Sequence, residues 1–314
     1  MKRKLKVLIV SKPWQGGLFE YYFNAFNRCE NVEAYLFFSY PKSLSEYISY
    51  KVNKKKWLDS FIQKINNFNY DLGFFINTFQ NIDKLEKVNN VLYLTDDAII
   101  EKQNVDLFTN IYLSDLGYAK KFSKNKNYLG ELPFAFDPIS HKPTKFCKKS
   151  KLVQSIANID ENRNKWFSLM SKHDCFPDIY GNYFNKSNYI FIHPLNVHPS
   201  ISFRKQSKIY SKYFISLNIH ANVIKHGTNM KTFEACGFQV PQIINYIPGL
   251  ENFFEPNKEI LIFSNINEYK EKLDSLRKDR TLRKKLADNS FKRAMSMHKY
   301  DDRVRMVINN FNLS

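Results

Sequence analysis

Residues 213–254 restrict the fold more than any other stretch. An apolar run at 213–217 reads as a buried strand, and a polar loop carrying Gly227, Thr228 and Asn229 follows. A short helical pattern at 230–236 closes on Gly237, and a second apolar run at 240–244 enters the turn Pro248-Gly249. Strand, loop, helix, strand and loop follow one another, and the two loops share a side if the strands are parallel. In that case the shared side is the carboxyl edge, where open α/β sheets bind ligands.

The rest of the chain repeats this alternation. Strands are expected at 4–10, 32–39, 72–76, 91–95 and 105–113, with helices at 18–26 and 57–68. Residues 40–56 read as a polar, basic connection. Pro133, Pro138 and Pro143 punctuate residues 131–149, and the basic cluster 145–151 ends that stretch, so a domain boundary is expected at 143/144. A second alternation follows, with strands at 152–156, 179–181 and 259–263, an apolar run at 189–192, and helices at 161–171 and 204–212. The tail is helical, and Leu282, Leu286, Phe291 and Met295 form a stripe read as core packing. The expected division is 1–143, 144–298 and a terminal segment 299–314. Apolar runs between helical patterns describe parallel, helix-covered sheets, an α/β protein.

Composition sets outer bounds. A chain of 314 residues is long enough for two ordinary domains. The basic opening and the short apolar run after it resemble a leader, but the run is too short, no small-residue cleavage site follows, and Ser11-Lys12-Pro13 interrupts it; a first strand is expected. No apolar run reaches the ~18–20 residues of a membrane span. Cys29, Cys147, Cys175 and Cys236 are scattered, as free thiols of a reducing compartment would be, and a cytoplasmic location is expected. The net charge of +18 favours polyanionic partners such as DNA, an anionic membrane face or phosphorylated substrates. An AT-rich coding bias toward Lys, Asn, Ile, Phe and Tyr is expected to account for about half of that charge.

Several chemistries lack their signatures. Gly16-Gly17 is no Gly-x-Gly-x-x-Gly fingerprint, and no P-loop, His-Glu-x-x-His or Gly-x-Ser-x-Gly occurs. Asp-x-Asp, a common divalent-metal holder in one class of sugar transferase, is also absent, so no metal site and no cofactor are expected.

The helix at 230–236 suits a nucleoside diphosphate. Its first turn offers backbone N–H groups and a positive dipole end. Lys231 adds a charge there, and Glu234, three residues on, places a carboxylate on the same face to accept ribose hydroxyls. An exposed helix with one surface Lys–Glu pair has the same spacing.

Ser216-Leu-Asn-Ile-His220, Gly227-Thr-Asn-Met-Lys-Thr-Phe-Glu-Ala-Cys-Gly237, Pro248-Gly-Leu-Glu-Asn-Phe-Phe254 and His298-Lys-Tyr-Asp-Asp-Arg303 together resemble the CgeB-like (spore maturation protein) glycosyltransferases. Weaker echoes lie at Leu132-Pro-Phe-Ala-Phe-Asp-Pro138, Arg163 and Tyr180-Gly181, so the resemblance spans roughly residues 90–308. It implies a GT-B fold: two Rossmann-like domains facing across a cleft, with a C-terminal helix packing back toward the N-terminal domain. It also implies a nucleotide-sugar donor, as co-substrate, held by the C-terminal domain. Glu234 would hold the ribose, Lys231, Asn229 and Thr232 the diphosphate, Gly249 and Leu250 would give backbone contacts, and Arg163 would help stabilise the departing diphosphate. Two positions depart from the family pattern. Lys231 stands where Arg is usual and lacks its bidentate fork. His226 stands where retaining enzymes often carry a second Glu.

Asp96 and Asp97 follow an expected strand of the N-terminal domain, which makes them candidates for the base of an inverting transfer; Asp also commonly caps helices. His193 and His198 read as loop histidines. His226 is placed to donate a hydrogen bond to the leaving diphosphate, or to lie solvated in its loop. Trp14, Gly16 and Gly17 form the first loop of the acceptor side. The expected acceptor is a surface glycan or lipid-linked saccharide, with peripheral contact at the inner, anionic membrane face. A modified base in DNA is the alternative acceptor, and a non-catalytic sugar- or polyanion-binding module the alternative to an enzyme.

Overall fold

The computed structural model describes residues 3–13, 17–77, 81–86, 89–95, 105–144, 149–182 and 196–313. The chain forms two units, Met1–Pro133 with Tyr300–Ser314, and Phe134–Lys299.

The first unit is built on a parallel sheet of order β2-β1-β3-β4-β5-β6. Its strands are β1 (Leu5–Ser11), β2 (Val32–Phe38), β3 (Leu72–Ile76), β4 (Asn90–Leu94), β5 (Asn110–Leu113) and β6 (Tyr128–Glu131). Every residue of β3 and β4 is buried, as expected of strands covered on both faces. Helix α1 (Leu18–Arg28) starts behind Gly17, whose φ of 90° only glycine adopts without strain. The terminal helix Tyr300–Leu313 packs on α1: Tyr300 meets Tyr21 and Tyr22 at ring separations of 5.5 and 5.0 Å. Asp301 takes two 2.7 Å hydrogen bonds from Arg28.

The second unit carries a parallel sheet of order β12-β11-β10-β7-β8-β9. Its strands are β7 (Lys151–Ile156), β8 (Asp178–Tyr180), β9 (Val197–His198), β10 (Tyr213–Asn218), β11 (Gln242–Asn245) and β12 (Leu261–Phe263). Chain order reverses between β7 and β10, which makes the crevice beyond their carboxyl ends the natural ligand site. Helix α4 (Glu161–Lys172) follows β7, helix α5 (Gln206–Tyr210) precedes β10, and α6 (Met230–Gly237) follows it. Helices α7 (Ile266–Lys278) and α8 (Arg280–Met297) complete the unit. Residues 134–141 belong here, not to the N-terminal side, because they run against α6. A Cβ on Gly237 would lie 2.7 Å from Phe136 and 2.8 Å from His141.

Four expectations change. Residues 40–56 are not a plain connection: a capping box of Ser43 and Glu46 starts helix α2 (Leu44–Val52), and Asn53 caps α3 (Lys54–Asn66). Residues 105–113 split into a 3-10 turn (Val105–Leu107) and β5. The helix expected at 204–212 is a 3-10 turn (Phe203–Lys205) leading into the short α5. On α8 Leu286 is buried and Leu282 packs against the core as expected, but the rest of the buried face is Ala287, Ser290 and Ala294, and Met295 is exposed. Small residues set that face because α8 packs on α6. The apolar run at 189–192 lies outside the described residues.

Candidate active site

The site grows from the carboxyl end of β10. Asn218, its last residue, turns inward and donates to Asn229 Oδ1 (2.9 Å) and Thr232 Oγ1 (2.8 Å), while Asn229 donates back to Asn218 Oδ1 (3.0 Å). Asn229 caps α6, its Oδ1 accepting from the Lys231 N–H at 3.0 Å. The strand end therefore fixes where the helix begins.

A second line of hydrogen bonds ties this cap to β11. His220 is fully buried, and burial lowers its pKa to about 4, so the ring is neutral. Asn245 Oδ1 accepts from the His220 backbone N–H at 2.7 Å and lies 3.0 Å from Nδ1, so Nδ1 carries the proton. His220 Nε2 then accepts from the Thr228 hydroxyl at 3.0 Å, and Thr228 Oγ1 accepts from Thr232 Oγ1 at 2.5 Å. The protons run one way, from Asn218 through Thr232, Thr228 and His220 to Asn245. A fully satisfied network of this kind fixes one geometry, each bond contributing ~0.5–1.5 kcal/mol net.

Arg163 closes the crevice from the other strand. Asp160 caps α4 by accepting from the Arg163 N–H at 2.9 Å. Arg163 Nε donates to the Ile219 carbonyl (2.8 Å) and Nη1 to that of Asn158 (2.9 Å), spanning the loops after β10 and β7. Asn162 reinforces this with a 2.9 Å bond to the His220 carbonyl.

Lys231 and Glu234 meet at 2.7 Å, as their spacing implies, but the pair is no surface bridge. Glu234 is fully buried, whereas the Lys231 side chain keeps 22% exposure. Gln206, with its amide oriented to satisfy both, donates to Glu234 Oε2 (2.8 Å) and accepts from Lys231 Nζ (2.6 Å). Glu234 Oε1 has no hydrogen-bond donor. Burial raises the Glu234 pKa, and Lys231 opposes the rise. His141 Nε2 stands 3.9 Å from Oε1. That contact is not an ion pair: burial, followed by Lys231, lowers the His141 pKa to about 3, and Nδ1 accepts the Asp137 N–H at 2.9 Å.

The loop after β11 completes the crevice. Gly227 N–H donates to the Pro248 carbonyl at 2.7 Å, joining the two loops. Gly249 has φ 84°, and a Cβ there would lie 2.1 Å from the His226 ring. His226 thus packs flat on the Gly249 backbone, with its buried Nδ1 unpartnered. Leu250 is buried and opens a 3-10 turn.

The structure gathers Asn229, Lys231, Thr232, Glu234, His226, Gly249, Leu250 and Arg163 at one sheet edge. Asp96, Asp97, Trp14, Gly16 and His193 lie outside the described residues; Gly17 heads α1. His198 lies elsewhere, stacked on Tyr180 at 4.6 Å with Nε2 3.5 Å from Asp178 Oδ1. Sequence reasoning gave no individual roles to Asn218, His220, Thr228, Asn245, Gln206 or His141. It also passed over Glu131, at the carboxyl end of β6. Burial and then Asp115 raise its pKa to about 7, against an opposing Arg303.

Residues 163–309 match the family described as Glycosyl transferase-like (Glyco_trans_1_2). Among solved structures, the sucrose-phosphate synthase of Thermosynechococcus elongatus superposes with a TM-score of 0.67 at 10% identity, covering 99% of both chains. Anabaena HepE in complex with UDP-glucose gives a TM-score of 0.67 at 10% identity, covering 99% of this chain and 100% of that one. The fold is GT-B. The DNA-modifying enzyme β-glucosyltransferase shares this GT-B fold, with a TM-score of 0.61 at 14% identity over 97% of this chain and 100% of that one. No curated protein sequence matches significantly. Among the described residues of this GT-B chain, no helix is long and apolar enough to cross a membrane.

Proposed function

We propose that the protein is a CgeB-like glycosyltransferase that moves a sugar from a nucleoside-diphosphate sugar to an acceptor hydroxyl. One observation carries this reading: the family-matched stretch contains a capped helix start, a lysine and a buried carboxylate, all tied to the switch point of a Rossmann-ordered sheet. The diphosphate rests on the start of α6. Lys231 swings from Glu234 onto it, and Arg163 adds positive charge to the same crevice. Lys231 is the partly exposed cover over Glu234; its departure opens the carboxylate, and the ribose hydroxyls supply the donors that Oε1 lacks. Positioning the donor and stabilising the leaving diphosphate account for catalysis. His226, beside that phosphate position, donates a hydrogen bond to it. Asp96 or Asp97 takes the acceptor proton. The reaction needs no metal, so transfer is expected to continue in excess chelator.

The acceptor is a surface glycan or lipid-linked saccharide. The net charge of +18 and the fold shared with the DNA-modifying β-glucosyltransferase favour, as a second reading, a base in DNA. Calorimetry against nucleoside diphosphates tests the donor site, with UDP as first probe because Anabaena HepE was solved with it. Glu234→Gln should weaken binding about 10- to 100-fold, the worth of one hydrogen bond to a charged group. Equal affinities in wild type and variant would sink the assignment. Duplex-DNA binding that collapses with salt and competes with the saccharide acceptor would support the second reading.

A further inference from the structure

Helix α2 stands apart from the core of the first unit. None of its nine residues is buried. Leu44, Ile48 and Val52 repeat every four residues, so they share one face, and they are 75%, 55% and 81% exposed. Tyr47, 38% exposed, borders the same face. Tyr50 turns toward the protein, its ring 5.2 Å from Tyr40 and 5.4 Å from Trp57, and Tyr47 also reaches Tyr40 at 6.3 Å. A helix this short is marginal in water and gains little from packing through two partly exposed tyrosines. The apolar ridge, ~12 Å long at 1.5 Å per residue, adds nothing to the core beneath it.

The charge around the ridge selects what covers it. Lys51 lies within the ridge, and Lys54, Lys55 and Lys56, all exposed, open the next helix. Among the nearby acids, Glu46 at the cap of α2 offsets one charge and Asp59 is paired with Lys84, so the lysines stay in excess. An apolar face rimmed by lysines matches an interface with acyl chains beneath and anionic headgroups around it. Lysine stems also lie along apolar surface while their ammonium groups reach outward.

We propose that α2 and the start of α3 dock the protein on an anionic lipid bilayer, with Leu44, Ile48 and Val52 entering the headgroup boundary. This docking does not depend on the donor-site assignment, and vesicle binding reads it without any sugar transfer.

The test is cosedimentation of the full chain with vesicles of phosphatidylcholine alone and of phosphatidylcholine mixed with phosphatidylglycerol. Binding is expected only to the mixed vesicles and should weaken with salt. Replacing Lys54, Lys55 and Lys56 by Gln should lower partitioning about a hundredfold, from roughly fivefold per lysine. The triple variant L44S/I48S/V52S should lower it more than about tenfold. L44S alone should give a smaller loss, and because these side chains are exposed, melting curves should match wild type. Lys231→Met should bind vesicles as wild type does, whatever happens to donor binding. Three results would each overturn the proposal: no binding to mixed vesicles, unchanged binding by the apolar variants, or a dimer in ultracentrifugation that L44S/I48S/V52S dissolves without altering lipid binding.

Discussion

Replacing Lys231 with Met removes one end of a buried ion pair and keeps most of its stem. Glu234, at zero exposure, then loses the charge 2.7 Å away that favours its ionised form. Burial alone already raises its pKa above 4.5, and without Lys231 the rise is larger. The sign follows from linkage: an acid with a raised folded pKa binds more protons when folded, so stability is present below the unfolded pKa and is lost as pH climbs. The loss is bounded by the cost of protonating the carboxyl, ~1.36 kcal/mol per pH unit above 4.5. That limit is ~3.4 kcal/mol at pH 7 and ~0.7 kcal/mol at pH 5. The bound at pH 7 sits at the low end of the ~3–5 kcal/mol seen when buried pairs are broken. Lys231→Met is therefore expected to lose about 2–3 kcal/mol at pH 7, roughly 5–10 °C in Tm, and under ~1 kcal/mol at pH 5. Urea denaturation at the two pH values measures the difference, and Lys231→Met/Glu234→Gln should flatten it. Equal deficits at pH 5 and pH 7 would refute the reasoning, because Glu234 would then not be charged in the folded protein.

Acid should destabilise the wild type between pH 6.5 and about 4, because His141 and His220 are held neutral when folded and take up protons when unfolded; thermal melts of His220→Asn should show a shallower slope in that window. Gly249→Ala should cost at least ~1–2 kcal/mol from its left-handed backbone, with a further loss from the His226 ring. Adding His226→Ala should recover only the second part in denaturant titrations. Asn218→Ala should weaken both stability and nucleoside-diphosphate binding, since it leaves the cap Asn229 and Thr232 without their shared donor; unchanged calorimetric affinity would mean that the strand end does not set the position of α6.

Much of the fold was legible because its signals are local. Buried strands in parallel sheets are continuous apolar runs, so β3, β4 and β10 stood out. The cap Asn229, the Lys231–Glu234 spacing and the Pro248-Gly249 turn all lie within about one turn of the features they mark. The connection at 40–56 misled because its helix buries no residue, which leaves no core-facing stripe to read. The stripe on α8 held at Leu282 and Leu286 and failed beyond them, where the packing face uses alanine and serine, which hydrophobic periodicity passes over.

Periodicity and capping act over a few residues, so the two α/β alternations and a helix start furnished with Asn, Lys and Glu can be read directly along the chain. What that helix start is depends on packing between distant segments. Whether Lys231 and Glu234 form a surface bridge or a buried pair depends on Gln206 and His141, which reach them from 25 or more positions away. The neutral state of His220 and the near-neutral pKa of Glu131 likewise come from burial and from neighbours that chain folding alone brings together. Dielectric environment is a property of the packed site, and no spacing of residues along the chain encodes it.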